Sequence, residues 1–295
     1  MSQTPISQTK ALQLLLLAVL LFGGVWPVTK VAFQHATPLW FGFARAALAS
    51  LAAMAVLAAL GRLRLPGRQD LRGMAAIGLL QIGAFFAFAH LALSLVPAGR
   101  TAVLGNVTIF WLVPLSVWLL GERVSPRRWV AAAFGLAGVA VMMGPWAMDW
   151  TAPGMVFGHA LLLGASFSWS AAIILTRLYP PRAPIMDLLP WMFLLGALLI
   201  LPIALWVEPP HAGGGIGPGA WVAAGFIGLI AAPIGTWATV EAGRHLNAVV
   251  ASVGFLLVPV FGVALATIWL REPLGWDLLV GGALIILSVV IAAKG

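Results

Sequence analysis

The chain has 295 residues, of which 62% are hydrophobic and 8% charged. A soluble globule carries about 25% charged residues, so that class is excluded and an integral membrane protein is expected. Ten crossings of roughly 20 apolar residues would use about 200 positions, leaving no sizeable soluble domain. Apolar runs predict helices at 11–33, 38–60, 71–96, 101–120, 127–146, 153–176, 187–207, 219–243, 247–270 and 276–293. The first follows Lys10 like a signal peptide, but no clear small-residue cleavage site follows it, so it is read as the first span.

The net charge of +8 fits cytoplasmic-loop Lys and Arg better than nucleic-acid binding. With the N-terminus inside, twelve of the sixteen Lys and Arg fall on the inner side, so both termini are expected in the cytoplasm. Ten of fourteen Trp fall at predicted helix ends, where indoles favour the headgroup region. Trp26, Trp111, Trp169 and Trp237 lie within spans 1, 4, 6 and 8 and are expected to face the bundle or a cavity. The chain has no Cys and no Walker-type run, its acids are scattered singly, and its five His never reach metal-ligand spacing. No cofactor or metal is therefore expected.

An internal repeat organises the spans. A shift of 150 residues sets Glu122 on Glu272, Gly78-Leu79 on Gly228-Leu229 and loop 97–100 on 247–250; a shift of 143 sets Trp26 on Trp169 and Pro38 on Pro181. Each half holds five spans. An odd number per repeat makes the second copy enter from the opposite side, giving an inverted pair. The expected fold is thus all-α and integral to the membrane, with ten transmembrane helices as two inverted five-helix repeats, 1–148 and 149–295.

Two five-span repeats, a Trp in the first span of each, an interior Pro in the fourth, and a helix closing on Gly-Glu (122) or Arg-Glu (272) resemble the EamA-type drug/metabolite transporters. The resemblance covers nearly the whole chain, and the aromatic richness is similar to that of bacterial aromatic amino acid exporters. It implies a monomer or homodimer in a bacterial inner membrane, exporting a small molecule from a cavity walled by spans 3, 4, 8 and 9. Two features depart from the pattern. Arg271 stands where the repeat usually has Gly, and Pro114 and Pro259 are not equivalent under the 150 shift.

In inverted-repeat carriers the site lies near the midplane, where Gly and Pro loosen helices. Gly83, Pro114, Pro233 and Pro259 are the expected hinge or gating positions. Gln81, Phe85 and Phe88 share one stripe of span 3, with His90 further out. Asn106 and Trp111 in span 4, Trp169 in span 6, Trp237 and Thr239 in span 8 and Phe255 in span 9 complete the expected substrate site. Amides can pair with both ends of a zwitterion, and indoles can stack on an aromatic side chain. The hydroxyls also suit bonding back to their own helix, and Ser252 is a further possibility in span 9. Arg45 is expected to snorkel outward and Glu241 to pair with Arg244. Gly135, Gly138, Gly281 and Gly282 read as close-packing positions.

The function expected is export of amino acids, aromatic ones favoured, or similar metabolites by alternating access. The alternatives are a channel for small polar solutes and, much less favoured by this composition, a membrane enzyme acting on lipids.

Overall fold

The computed structural model describes residues 7–293 except 122, 145, 148, 150, 247–253 and 256. The described residues are predominantly helical and contain no strand beyond an isolated bridge between Ala36 and Ile216. In chain order the helices are α1 (Gln8–Ala32), α2 (Pro38–Ala59), α3 (Leu71–Leu95), α4 (Ala98–Leu104), α5 (Ile109–Leu120), α6 (Pro126–Met142), α7 (Met155–Leu178) and α8 (Ile185–Val207). Pro218–Gly225, Phe226–Ala231 and Ala232–His245 run on as α9, followed by α10 (Leu257–Leu270) and α11 (Trp276–Ala293). Six of these, α1, α2, α3, α7, α8 and α9, are long and apolar enough to cross a membrane unaided.

Local chemistry sets the boundaries. Ser7 caps α1 by accepting from the Lys10 N–H at 3.3 Å. Pro38, Pro126 and Pro218 open α2, α6 and α9, where the fixed φ suits a first helical turn and the missing N–H costs nothing. The run expected as one helix over 101–120 is instead broken. It starts at Ala98, stops at Leu104, and resumes at Ile109 after a turn through Gly105, Asn106 and Thr108. Asn and Thr compete for backbone groups with their own side chains. Asn106 does so here, its Nδ2 donating to the Ala102 carbonyl at 2.6 Å.

Contacts between helices exchange when the two halves are exchanged. α2 packs on α8 and α6 on α11; α1 meets α9 as α3 meets α7, and α1 meets α10 as α5 meets α7. The glycines show the same pattern in detail. A Cβ on Gly78 would stand 2.9 Å from the Met192 carbonyl and 2.8 Å from Leu195, and one on Gly228 would stand 2.7 Å from the Arg45 carbonyl and from Leu48. Gly138 presses on Gly281 and Ile285, while Gly281 presses on Gly138 and Met142. Such small residues let backbones approach where lipid offers no hydrophobic drive to associate. Two wide π-helical stretches, Ala76–Ala84 in α3 and Phe226–Ala231 in α9, begin 150 residues apart.

The departure at Arg271 carries a cost. Gly121 ends α5 in the left-handed region at φ 63, and Arg271, 150 residues on, ends α10 at φ 55. There a Cβ is unwelcome and glycine is free. Arg271→Gly is expected to stabilise the protein by about 1 kcal/mol, read as a higher midpoint of thermal unfolding in detergent. Gly228→Ala is expected to destabilise it by about 1–3 kcal/mol, since α9 must move off α2.

Candidate substrate site

At the end of the bundle where α1 finishes, charged side chains tie the two halves together. The Glu208 carboxylate accepts from the N–H groups of Leu39 (3.0 Å) and Trp40 (3.3 Å), and the Glu272 carboxylate accepts from those of Ala98 (2.7 Å) and Gly99 (2.8 Å). An acid at a helix N-terminus satisfies otherwise unpaired donors and opposes the helix dipole. Lys30 donates to the carbonyls of Leu93 and Val96 at the end of α3. Arg100 is buried against Asp277 and also donates to the carbonyls of Met142 (2.9 Å) and Ala147 (2.8 Å). The 3.0 Å bond from the Thr37 N–H to the Gly215 carbonyl joins the neighbouring loops. At the opposite end, Asp70 accepts from the N–H groups of Arg182 (2.7 Å) and Ala183 (3.1 Å) just ahead of α8, and Arg62 pairs with Asp187 at 2.6 Å.

Between these ends, on the seam of the two halves, lies a cavity of about 260 Å³. Phe22, Val25 and Trp26 of α1, Ile77, Gln81, Phe85 and Phe86 of α3, and Trp169 of α7 form much of its wall, with Met192 and Phe193 of α8. Asn106 reaches it from the break between α4 and α5, Thr236 from α9, Phe255 from just before α10, and Arg45 from α2. Trp26 and Trp169, matched by the 143-residue shift, both meet Phe85 edge-on, with ring centroids 6.3 and 4.9 Å away. A few polar groups in an aromatic wall are the usual make-up of a small-molecule pocket.

Of the residues expected at the site, Gln81, Phe85, Asn106, Trp169 and Phe255 come together in this cavity. Phe88 lies on another face of α3, more than a third exposed, against Gly164. It follows Phe85 by three residues of regular helix, a step that leaves the two side chains roughly 60° apart around the axis and takes Phe88 off the face that Phe85 presents. His90 is fully buried behind the cavity among Phe33, Phe41 and Phe86. Trp111 donates from Nε1 to the Ser166 hydroxyl at 2.9 Å and packs on Phe110 and Phe167. The Thr239 hydroxyl turns back on the Gly235 carbonyl at 2.8 Å, as Thr236 does on Ala232 at 2.7 Å. Ser252 falls outside the described residues.

Trp237 lines a second, lateral hollow of about 460 Å³ between α2, α8 and α9, together with Pro233, Arg62 and Glu241. Glu241 meets His245 at 3.2 Å, one turn along α9. Of the expected hinges, Gly83 is pressed against Leu199 of α8, Pro114 is exposed within α5 and Pro259 is buried in α10. The expectation for Arg45 is overturned. It does not snorkel outward but is 5% exposed and turned into the bundle, its guanidinium 3.9 Å above the Phe86 ring and Nη1 3.3 Å from His90 Nε2. Its position seven residues into a predicted span was the available signal: an intramembrane cation that far from a helix end usually faces the interior.

The match to a family model is direct, and it is made twice. The model of the EamA-like transporter family matches residues 9–144 and again 156–293. The chain belongs to that family. A member of the EamA-like family is a multi-pass membrane transporter of small molecules, not an enzyme. This member is 28% identical to the uncharacterized transporter YvbV of Bacillus subtilis, over 98% of this chain and 92% of that one. It is 27% identical to a probable amino-acid metabolite efflux pump of Salmonella typhimurium, over 96% and 94%. A probable terminal-alkyne amino-acid exporter of Streptantibioticus cattleyicolor is 25% identical over 96% and 93%. A crystal structure superposes with a TM-score of 0.64 over 97% of this chain and 98% of that one, at 22% identity, a likeness of fold alone.

The chain has no Cys, so single cysteines report on the cavity without background. Gln81→Cys is expected to react readily with a small water-soluble thiol reagent, and fully buried Leu93→Cys at least about tenfold more slowly, because attack needs a hydrated thiolate. Mass spectrometry reads both rates; equal rates would mean that water does not fill the cavity.

Proposed function

We propose that this EamA-family transporter exports amino acids, aromatic ones favoured, across a bacterial inner membrane by alternating access. The observation that carries this reading is the seam cavity, where two repeat-matched indoles flank Phe85 and two amides, Gln81 and Asn106, supply hydrogen bonds. An aromatic side chain can stack on the rings while its polar end meets the amides. The efflux names carried by the Salmonella and Streptantibioticus relatives support the direction and the substrate class.

On this reading the chain forms ten spans as two inverted repeats, 1–148 and 149–295, with α4 and α5 together making the fourth. A discontinuous helix near the midplane, and contacts that exchange with the halves, are what such a carrier is built from. Both termini lie in the cytoplasm. The clasps of Glu208, Glu272 and Arg100 then close the outer end, which disfavours an open channel. Gly83, Pro114, Pro233 and Pro259 take up bending as the halves rock, and the protein works as a monomer or homodimer without a cofactor.

Purified protein in liposomes is expected to carry labelled phenylalanine or tryptophan with saturable kinetics and counter-transport. Trp169→Ala should raise the half-saturation concentration about tenfold, equivalent to about 1.4 kcal/mol of lost stacking and burial. Trp111→Phe, which removes the bond to Ser166 and trims a ring outside the cavity lining, should leave it within about twofold. Flux that never saturates for any amino acid would refute the carrier assignment.

A further inference from the structure

Among the described residues, Arg45 is the one charged side chain in the wall of the seam cavity. A guanidinium stays ionised in proteins and offers five N–H donors, none of which can accept. Here one donor, on Nη1, points to His90 Nε2, and the plane lies against Phe86. Because arginine can only donate, that imidazole nitrogen is the acceptor. Among the described residues no carboxylate pairs with Arg45, whereas Asp187 pairs with Arg62, Asp277 with Arg100 and Glu241 with His245. Nor does any Asp or Glu line the cavity, whose other polar groups are the amides of Gln81 and Asn106, the Thr236 hydroxyl and two indoles, all neutral. The cavity wall thus holds a buried positive charge with neutral partners only, a costly arrangement that a carboxylate beside it would relieve.

We infer that the substrate itself supplies the missing charge. The structure assigns this cavity to amphipathic carboxylates, with the carboxylate on Arg45 and an aromatic or bulky apolar group against Phe22, Trp26, Phe85 and Trp169. A substrate ammonium would find only neutral acceptors, among them the side-chain carbonyl oxygens of Gln81 and Asn106. The α-amino group is therefore tolerated but not required, so aryl-alkanoic acids and amino acids bind while the corresponding amines do not. His90 is a positioning residue that fixes the guanidinium. Gly42 makes room for it, since a Cβ there would stand 2.7 Å from Nδ1. The inference rests on the seam cavity being the substrate site.

Isothermal titration of the full-length protein in detergent with 3-phenylpropionate, phenylalanine and 2-phenylethylamine separates the two claims. Phenylpropionate is expected to bind at least as tightly as phenylalanine, and phenylethylamine at least about tenfold more weakly than either, the worth of one charge-assisted hydrogen bond. Arg45→Gln should weaken both acids by at least that factor without changing the amine, and Arg45→Lys should retain part of the preference. If Arg45→Gln fails to fold, the wild-type series and Arg45→Lys still decide. An amine that binds as tightly as the acids, or phenylpropionate that does not bind while phenylalanine does, overturns the charge assignment and leaves the cavity as the site. No binding of any of the three overturns both.

Discussion

Peptide groups in a hydrocarbon layer have no water to bond to, and the rest of this structure follows from satisfying them. Helices do so along their length but not at their first turns, where four N–H groups stay unpaired. This chain spends three of its eight acids on such places. Asp70 serves the segment ahead of α8, Glu208 the start of α2 and Glu272 the start of α4. In each case the acid belongs to one half and the capped backbone to the other. The scarce charges that hold the helices' ends therefore also hold the halves together.

Within the bundle, packing is governed by what is missing from side chains. Gly78 and Gly228 bring α3 and α9 onto α8 and α2, and Gly138 and Gly281 bring α6 onto α11. Lipid tails are as apolar as leucine, so close backbone approach and dispersion must supply the association that the hydrophobic effect supplies in water. The wide stretches in α3 and α9 that contain Gly78 and Gly228 turn side chains away from the regular stripe. Gln81 in the α3 stretch and Phe85 just beyond it both face the seam, while Phe88, three residues of regular helix further on, faces outward.

Much of this was legible in the sequence because hydropathy and repeats are one-dimensional signals. The long spans fall within a few residues of their expected positions, and the 150- and 143-residue shifts foretold which glycines and which tryptophans would correspond. Five of the ten expected substrate contacts share the seam cavity. The misses have physical causes. The break after Leu104 was hidden because the residues around it are as apolar as any helix, and only Gly105 and Asn106 hint at it. Arg45 was read by the habit of surface arginines, whereas it sits too far from the helix end to reach the headgroup region and turns into the bundle instead. Trp111 and Thr239 are polar groups in the right helices that found partners locally, on Ser166 and Gly235, which composition cannot foresee.

The three clasps in which a carboxylate grips the backbone of the other half share one further property. Their acceptors are particular side chains, but their donors are main-chain amides of Leu39, Trp40, Ala98, Gly99, Arg182 and Ala183. A main-chain amide is the same whatever side chain hangs beside it, proline excepted. This part of the joint between the halves is thus written in three acids on one side and in no particular side chain on the other. Most of the residues it grips are free to drift without loosening it, so a chain can diverge widely along these segments and keep the same assembly.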